Sequence, residues 1–584
     1  MNYTSVTNRN WKFKTFDTKE VEKLSQDHSL DEIQSKLLAI RNIKTNEVKN
    51  FLNPLLKNLM PNPNILIDMD KGVEIVYKAV NQNKTIGIFG DYDVDGATST
   101  AMLSKYFSNI GIKSVFYIPD RKKDGYGPNI NSFKKLISLG SELIITVDCG
   151  TVAFEAIKYA QEQNIDVVVL DHHQSEINLP KAYAVINPNR LDDDSNLNYL
   201  CSAGVTLMFL VSLNRYLRKN NWFIKSKNNE PNVVNFLDLV SLGTVCDVVP
   251  LVKLNRALVY QGLKILVKRK NIGLKTLYDT CNYDEAPNAY HLGFVFGPRI
   301  NAGGRVGKSS YGAELLISDD AQTAYKIAQE LNLFNKQRQF IEKDLWITID
   351  SEAQKYGNDP VLVLSGSNWH EGVIGIIASR IKEKYNKPAF IISLVGDTGK
   401  GSARSIYGFD VGKAILNAVQ SNLLTKGGGH KMAGGFTIKK IKIDQFKEFL
   451  FSKFQKSGLL NSHVKNIYAD SIISVSALNE EFYDKINQIA PFGTGNSEPK
   501  FIIENLKVVN TKLLGFKHFK VILCDRGGQS MTAVSFNSTG TNLEGYLNKK
   551  SHKMINILGK MAANNWKGKR NIEFIIDDIS VIKD

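Results

Sequence analysis

Apolar positions along the 584-residue chain change their spacing four times, and each regime predicts a different architecture. From residue 64 to about 250, short apolar runs at 86–89, 115–118, 143–147 and 167–170 alternate with stretches of helical spacing. That alternation predicts a parallel sheet flanked by helices. Residues 355–455 repeat it on a smaller scale, with strand-like runs at 361–364 and 389–394 and a helix over 373–384. Between the two units helical spacing holds over 313–349, where Ala324, Ile327, Ala328 and Leu331 share one face, predicting a long connecting helix. Past residue 465 the helical signal fades. Five runs suited to strands follow, at 501–509, 519–523, 531–536, 554–561 and 571–576, a pattern that fits a small barrel of the OB type. Residues 1 to 60 read as helical, with Val21, Leu24 and Leu30 followed by a second amphipathic run at 33–52, and Pro61-Asn62-Pro63 closes them.

The expected fold class is therefore α/β and multidomain. A helical segment at 1–63 precedes a parallel-sheet domain at 64–265, a helical connector at 266–352, a smaller α/β domain at 353–458 and a β-barrel domain at 459–584.

Charge narrows the partners. Lys and Arg number 74 against 58 Asp and Glu, a net charge of +16, which favours a polyanion. The five cysteines are widely spaced and odd in number, which excludes a disulfide framework and a zinc knuckle and fits buried free thiols in a reducing cytosol. Residues 1–14 carry no apolar leader segment, and no stretch approaches the length of a membrane-spanning helix. A soluble, cytoplasmic protein is expected.

The chemistry concentrates in Gly90-Asp91-Tyr92-Asp93-Val94-Asp95-Gly96, between an apolar run and a helix-like segment at 97–106. Along an extended chain Asp91, Asp93 and Asp95 share one face, and Gly96 permits a sharp turn. No Lys or Arg follows in the next turn, so a hard divalent cation is the natural counter-charge. The alternative is a polar loop with an Asp cap, which needs one Asp and not three. Further donors sit at the ends of later runs: Asp148 after 143–147, Asp171-His172-His173 after 167–170, and Asp247 within Gly243-Thr244-Val245-Cys246-Asp247-Val248-Val249-Pro250. Each alone has an ordinary role as a cap or a polar turn. Together, beyond the carboxyl ends of parallel strands, they are a ligand set for two Mg²⁺ or Mn²⁺ ions, which suits displacement at phosphorus.

Other stretches suit phosphate or bases. Residues 297–307 mix Arg299 and Arg305 with four glycines, open enough to approach phosphate or to form a plain turn. Gly401-Ser402-Ala403-Arg404-Ser405 and Gly427-Gly428-Gly429-His430-Lys431 read as phosphate-binding loops. In the barrel region Phe516, His518, Phe519 and Trp566 interleave with Lys517, Lys520 and Lys567, as in surfaces that hold single strands, although Trp566 suits a core equally well.

In order, Gly-Asp-Tyr-Asp-Val-Asp-Gly, Val-Asp-Cys-Gly, Asp-His-His and Gly-Thr-Val-Cys-Asp-Val-Val-Pro resemble the four motifs of the DHH phosphoesterase superfamily. Ile118-Pro119-Asp120-Arg121 with Gly125-Tyr126-Gly127, the run Gly297 to Arg305, Trp369-His370-Glu371-Gly372-Val373-Ile374-Gly375 and Gly427 to His430 extend the resemblance, over roughly residues 60–584, to its RecJ branch of single-strand-specific exonucleases.

The resemblance implies DHH, DHHA1 and OB-type domains at 64–265, 353–458 and 459–584. It implies a metal-dependent 5′-to-3′ exonuclease releasing 5′ mononucleotides from single-stranded DNA, in repair and recombination. Asp91, Asp93, Asp95, Asp148, His172 and Asp247 would hold two divalent ions, Mn²⁺ or Mg²⁺, with Asp148 bridging. Some superfamily members carry His where this chain has Phe89, a position for which Asp91 compensates. Asp148, His172 and His173 would be catalytic, His173 touching the scissile phosphate. Arg121, Tyr126, Arg299, Arg305, Ser402, Arg404, His430 and Trp566 would bind substrate, with Ser402, Arg404 and Arg121 reading the 5′ end and Tyr126 contacting a base. Single-stranded DNA, a helicase and a single-strand-binding protein are the implied partners, and a monomer suffices. A DHH enzyme for short oligonucleotides, cyclic dinucleotides or pyrophosphate, and a non-catalytic single-strand-binding scaffold, are the alternatives. The added barrel and basic charge argue against the first, and the filled ligand positions argue against the second.

Overall fold

The computed structural model describes residues 3–121, 123–283, 285–459, 465–548, 553–566 and 569–582, with the side chains of Asn565 and Trp566 outside the described set. The chain forms two compact units. One comprises Met1–Ile300, Ser310–Ala328 and Asn466–Asp584, the other Asn301–Ser309 and Gln329–Lys465.

At the centre of the first unit is a five-stranded, wholly parallel sheet in the order Ser114–Tyr117, Ile86–Gly90, Leu143–Val147, Asp166–Leu170, Ala184–Ile186. Its inner strands are buried on both faces, which is why they read as unbroken apolar runs. The order reverses beside Ile86–Gly90: its sequence successor pairs on one side and Leu143–Val147 on the other. Ligands of open α/β sheets gather at such a switch point, beyond the carboxyl ends of the strands. Gly96 serves this point by close approach rather than by a sharp turn. A Cβ there would lie 2.5 to 2.8 Å from backbone atoms of Asp91, so only glycine lets the helix Val94–Asn109 begin against the strand end.

The same unit holds the barrel. Phe501–Leu514, His518–Cys524, Ser530–Ser535, Lys569–Val581 and Ile555–Trp566 pair in that order, and the last returns to the first, closing a five-stranded ring. Phe501, Val521, Leu523, Ala533, Ile557 and Phe574 fill its interior. The opening residues differ from the helical expectation. Thr4–Ser5 and Arg9–Phe13 are strands added to the barrel sheet, and helices begin only at Thr18–His28. Their anchor is Asp578, wholly buried, which accepts hydrogen bonds from Ser5 (2.6 Å), Thr7 (2.8 Å) and Trp11 Nε1 (2.8 Å). A buried carboxylate needs such donors.

In the second unit the sheet runs Lys426–His430, Ala433–Lys439, Thr398–Arg404, Ala389–Val395, Leu362–Ser367, parallel only between the last two. The helices Glu371–Tyr385, Val411–Gln420 and Ile443–Lys456 accompany it. Both glycine-rich stretches expected as loops lie mainly in strands here. Their glycines make room: a Cβ on Gly401 would sit 2.1 Å from the Phe436 ring, and one on Gly427 would sit 2.6 Å from Ile415.

Two further expectations change. Residues 297–307 are mostly the helix Gly297–Val306, entered through a wide π-type turn, His291–Phe296. The connecting helix is two helices, Tyr311–Ile317 and the 35-residue Ala321–Lys355, divided where Asp320 accepts a hydrogen bond from Thr323 N at 2.8 Å. Among the described residues no helix is long and apolar enough to cross a membrane.

Candidate metal centre

Asp91 and Asp148 leave the two strands that flank the switch point. The three motif aspartates reach the rim by different routes, and not along an extended chain as the alternation suggests. Asp91 follows the strand. Asp93 is the N-cap of Val94–Asn109, accepting from Gly96 N at 3.0 Å, and Asp95 lies in that helix's first turn. Asp95 also caps a second helix, Ser202–Lys219: its carboxylate accepts from Ser202 N (2.6 Å) and Ala203 N (2.9 Å). Asp148 has φ +61°, a left-handed conformation rare outside glycine, and its N–H donates to Leu170 O (3.0 Å) and Ser202 Oγ (2.8 Å). Asp247 caps the C-terminus of Leu237–Cys246.

These routes converge. Three overlapping groups place one donor atom each within 4.8 Å of one another: Asp91, Asp93 and Asp148; Asp95, His172 and Asp247; Asp148, His172 and His173. His172 Nε2 lies 3.2 Å from Asp148 Oδ1, 3.7 Å from Asp247 Oδ2 and 3.8 Å from Asp95 Oδ2. The buried Oδ1 atoms of Asp91 and Asp148 have no hydrogen-bond partner. Burial first, and the neighbouring carboxylates second, push Asp91, Asp148 and Asp247 well above the usual carboxylate range and Asp95 up to about 7. Asp171, outside these groups, behaves oppositely. Burial would raise it, but its 2.8 Å hydrogen bond to His173 Nδ1 and the two histidines hold it far down. Burial works against His173 too, and the same bond and charge carry it up to about 9. Orphaned carboxylate oxygens with one imidazole on the rim fit a hard divalent cation, and Mn²⁺ tolerates the imidazole better than Mg²⁺ does.

Three family models match the chain. Residues 85–244 match the DHH family, N-terminal domain, residues 358–456 the DHHA1 domain, and residues 469–578 the RecJ OB domain. The single-stranded-DNA-specific exonuclease RecJ of Salmonella typhimurium is 34% identical over 529 residues, covering 88% of this chain and 90% of that protein. This chain belongs to the RecJ family. The Bacillus subtilis RecJ is 29% identical, covering 98% of this chain and 71% of its own length. Among solved structures, Thermus thermophilus RecJ in complex with Mn²⁺ superposes with a TM-score of 0.82 at 25% identity, covering 99% of this chain and 80% of that one. Exonuclease RecJ bound to manganese, at 30% identity and a TM-score of 0.57, covers 68% of this chain and 96% of that one.

The remaining candidates of this RecJ-family chain divide between its units. In the first, the Tyr126 hydroxyl lies 3.1 Å from His173 Nε2 and its residue is 55% exposed, and the exposed Arg121 stands 5.4 Å from the Tyr92 ring centroid. Arg299 Nη1 donates to Val295 O of its own turn at 2.7 Å. In the second unit, Ser402 and Arg404 share one face of Thr398–Arg404, with Arg404 Nη1 3.3 Å from Ser402 Oγ. Gly375 keeps that face open, since a Cβ there would lie 3.1 Å from Ser402 Oγ and 3.4 Å from Arg404 Nη2. His430 is level with Arg404 two strands away, both in register with Ala433. Arg305 Nη1 donates to Gly372 O at 3.2 Å. The Trp566 side chain lies outside the described residues, as does Lys567.

Sequence reasoning missed the supports. Asn187 Nδ2 donates to Thr151 Oγ1 (2.8 Å) and His173 O (2.9 Å), while Thr151 N donates to Asp171 (3.0 Å), so the histidine loop is pinned from behind. The amides holding Asp95 had one visible signal, the Ser202-Ala203-Gly204 run at a helix start.

Proposed function

We propose that this chain is a metal-dependent exonuclease hydrolysing single-stranded DNA from its 5′ end to 5′ mononucleotides, in DNA repair and recombination. The observation that carries the reading is the convergence of Asp91, Asp93, Asp95, Asp148, His172 and Asp247 at the switch point of a RecJ-family sheet. These six residues would hold the two divalent ions, and Asp148 belongs to two of the donor groups. When bound, Mn²⁺ or Mg²⁺ supplies an activated water and counter-charge for the departing oxygen.

The chain's own groups do the rest. His173, kept cationic near neutral pH by Asp171, meets a phosphate oxygen with charge, and Tyr126 on its exposed side contacts the base. Ser402 and Arg404 recognise the 5′ phosphate; Arg121, Arg299, Arg305 and His430 complete the substrate-binding set, and the basic barrel retains the following strand. On this reading residues 64–265 catalyse, 266–352 connect, 353–458 bind substrate and 459–584 bind nucleic acid. A helicase and a single-strand-binding protein supply the strand in the cytoplasm, and one copy of the chain suffices.

Asp148→Asn tests the assignment without disturbing the backbone, because Asn tolerates the left-handed region. Hydrolysis falls to background while single-strand affinity in EDTA persists; retained cleavage overturns the assignment. Arg404→Ala separately removes the preference for a 5′-phosphorylated end, and an unchanged preference rejects that pocket.

A further inference from the structure

Asp247 is followed by a strained residue. Val248, β-branched, has φ +62°. A conformation of that kind persists only where the surroundings over-determine it. Two anchors lie just downstream, one of them from the segment that precedes the barrel. Leu251 N donates to Thr494 O at 2.7 Å, and Asn255 Nδ2 donates to Pro250 O at 3.0 Å. The turn that carries Thr494 fits without clearance. A Cβ on Gly493 would lie 2.7 Å from Leu251 Cδ1, and one on Gly495, at φ +73°, would lie 3.1 Å from Pro250 Cβ.

The turn is itself held rigidly. Asn496, 2% exposed, donates through Nδ2 to Ile489 O (2.9 Å) and Pro491 O (2.8 Å) and accepts from Arg41 Nε at 2.7 Å. Arg256, on the helix Lys253–Leu266 that begins just past this contact, is 1% exposed. It donates to Ala490 O at 2.7 Å and Phe51 O at 2.8 Å. A buried guanidinium spent on backbone carbonyls ties the segment before the barrel to the segment after Asp247.

We propose that the turn from Gly493 to Asn496 is a positioning element for Asp247, so that a segment attached to the barrel sets the ion affinity of the catalytic centre. The proposal rests on the reading of Asp247 as a metal ligand. Residues that orient a ligand from behind change metal affinity when lost, by about tenfold or more.

The test is Mn²⁺ binding to the full chain by calorimetry, beside kcat and KM on a single-stranded oligonucleotide. Gly493→Val weakens Mn²⁺ binding about tenfold and lowers kcat, with KM and strand affinity in EDTA unchanged. Arg256→Lys, which keeps the charge and loses the forked contacts, moves the same quantities in the same direction and serves if Gly493→Val does not fold. Pairing Gly493→Ala with Leu251→Ala restores the room and the affinity lost in Gly493→Ala. Folded variants whose Mn²⁺ affinity equals that of the parent overturn the proposal. Asp247→Asn separates the two readings. If it too leaves Mn²⁺ binding unchanged, the ligand assignment fails; if it alone weakens binding, the ligand stands and the coupling fails.

Discussion

At the scale of single residues, burial first, and the charge of neighbouring carboxylates second, raises four acidic groups. Asp91, Asp95, Asp148 and Asp247 all titrate above the unfolded carboxylate, Asp95 at about 7. For an acid whose folded pKa is raised, the folded state binds more protons than the unfolded one between the two values. Stability is therefore lost as pH rises from about 4 through the folded values. A divalent cation displaces those protons, so its stabilisation grows over the same window. Thermal melts with and without Mn²⁺ show a larger shift in Tm at pH 8 than at pH 5; a shift independent of pH contradicts the coupling. His173 acts with the same sign, over a more alkaline window. Its contribution is present below the unfolded histidine value and is lost as pH rises through about 9. Asp171→Asn removes the charge and leaves only a neutral acceptor, so the His173 imidazole titrates lower by NMR.

Residue identity made this site legible: the aspartates and histidines are found by type and order. Their geometry was not. Nothing in Asp91 to Asp95 announces that the second is a cap and the third a helical residue, nor does Asp148 announce its left-handed backbone. Both depend on what packs behind, notably the amides at Ser202 and Ala203.

At the scale of elements, the apolar runs marked the parallel strands and the barrel strands because burial on both faces, or on alternate faces, leaves its period in the chain. The glycine-rich stretches were misleading for a physical reason. A glycine that frees a loop and a glycine that admits a neighbour's ring look the same in one sequence. Gly401 is of the second kind. Gly401→Ala drives a methyl into Phe436, destabilising the unit by roughly 1–3 kcal/mol, a drop in Tm readable by calorimetry. A loop role predicts no such loss. The break at Ser318 to Asp320 escaped notice because helical spacing on its two sides stays nearly in phase.

At the scale of the whole molecule, the opening strands close onto the barrel at the other end of the chain. Trp11 and its partner Asp578 are 567 positions apart, beyond the reach of any local pattern. Deleting residues 1–14 strips Asp578 of the Ser5, Thr7 and Trp11 donors and uncovers the barrel edge, costing roughly 3 kcal/mol or more. Chemical denaturation reads this loss, and an unchanged midpoint contradicts it. The candidate metal site, by contrast, is built from residues 91 to 247, close enough in the chain for ordered motifs to disclose it.

The activity proposed for this site is degradation of single-stranded DNA from the 5′ end with a divalent cation. The most direct measurement follows product release from single-stranded DNA labelled at either end, with matched duplex and RNA, in Mn²⁺, Mg²⁺ and EDTA. The proposed activity gives early release of labelled mononucleotide from the 5′-labelled single strand, in Mn²⁺ or Mg²⁺ and never in EDTA. Early release from the 3′ label, cleavage confined to dinucleotides, or tight binding with no cleavage in either metal would contradict it.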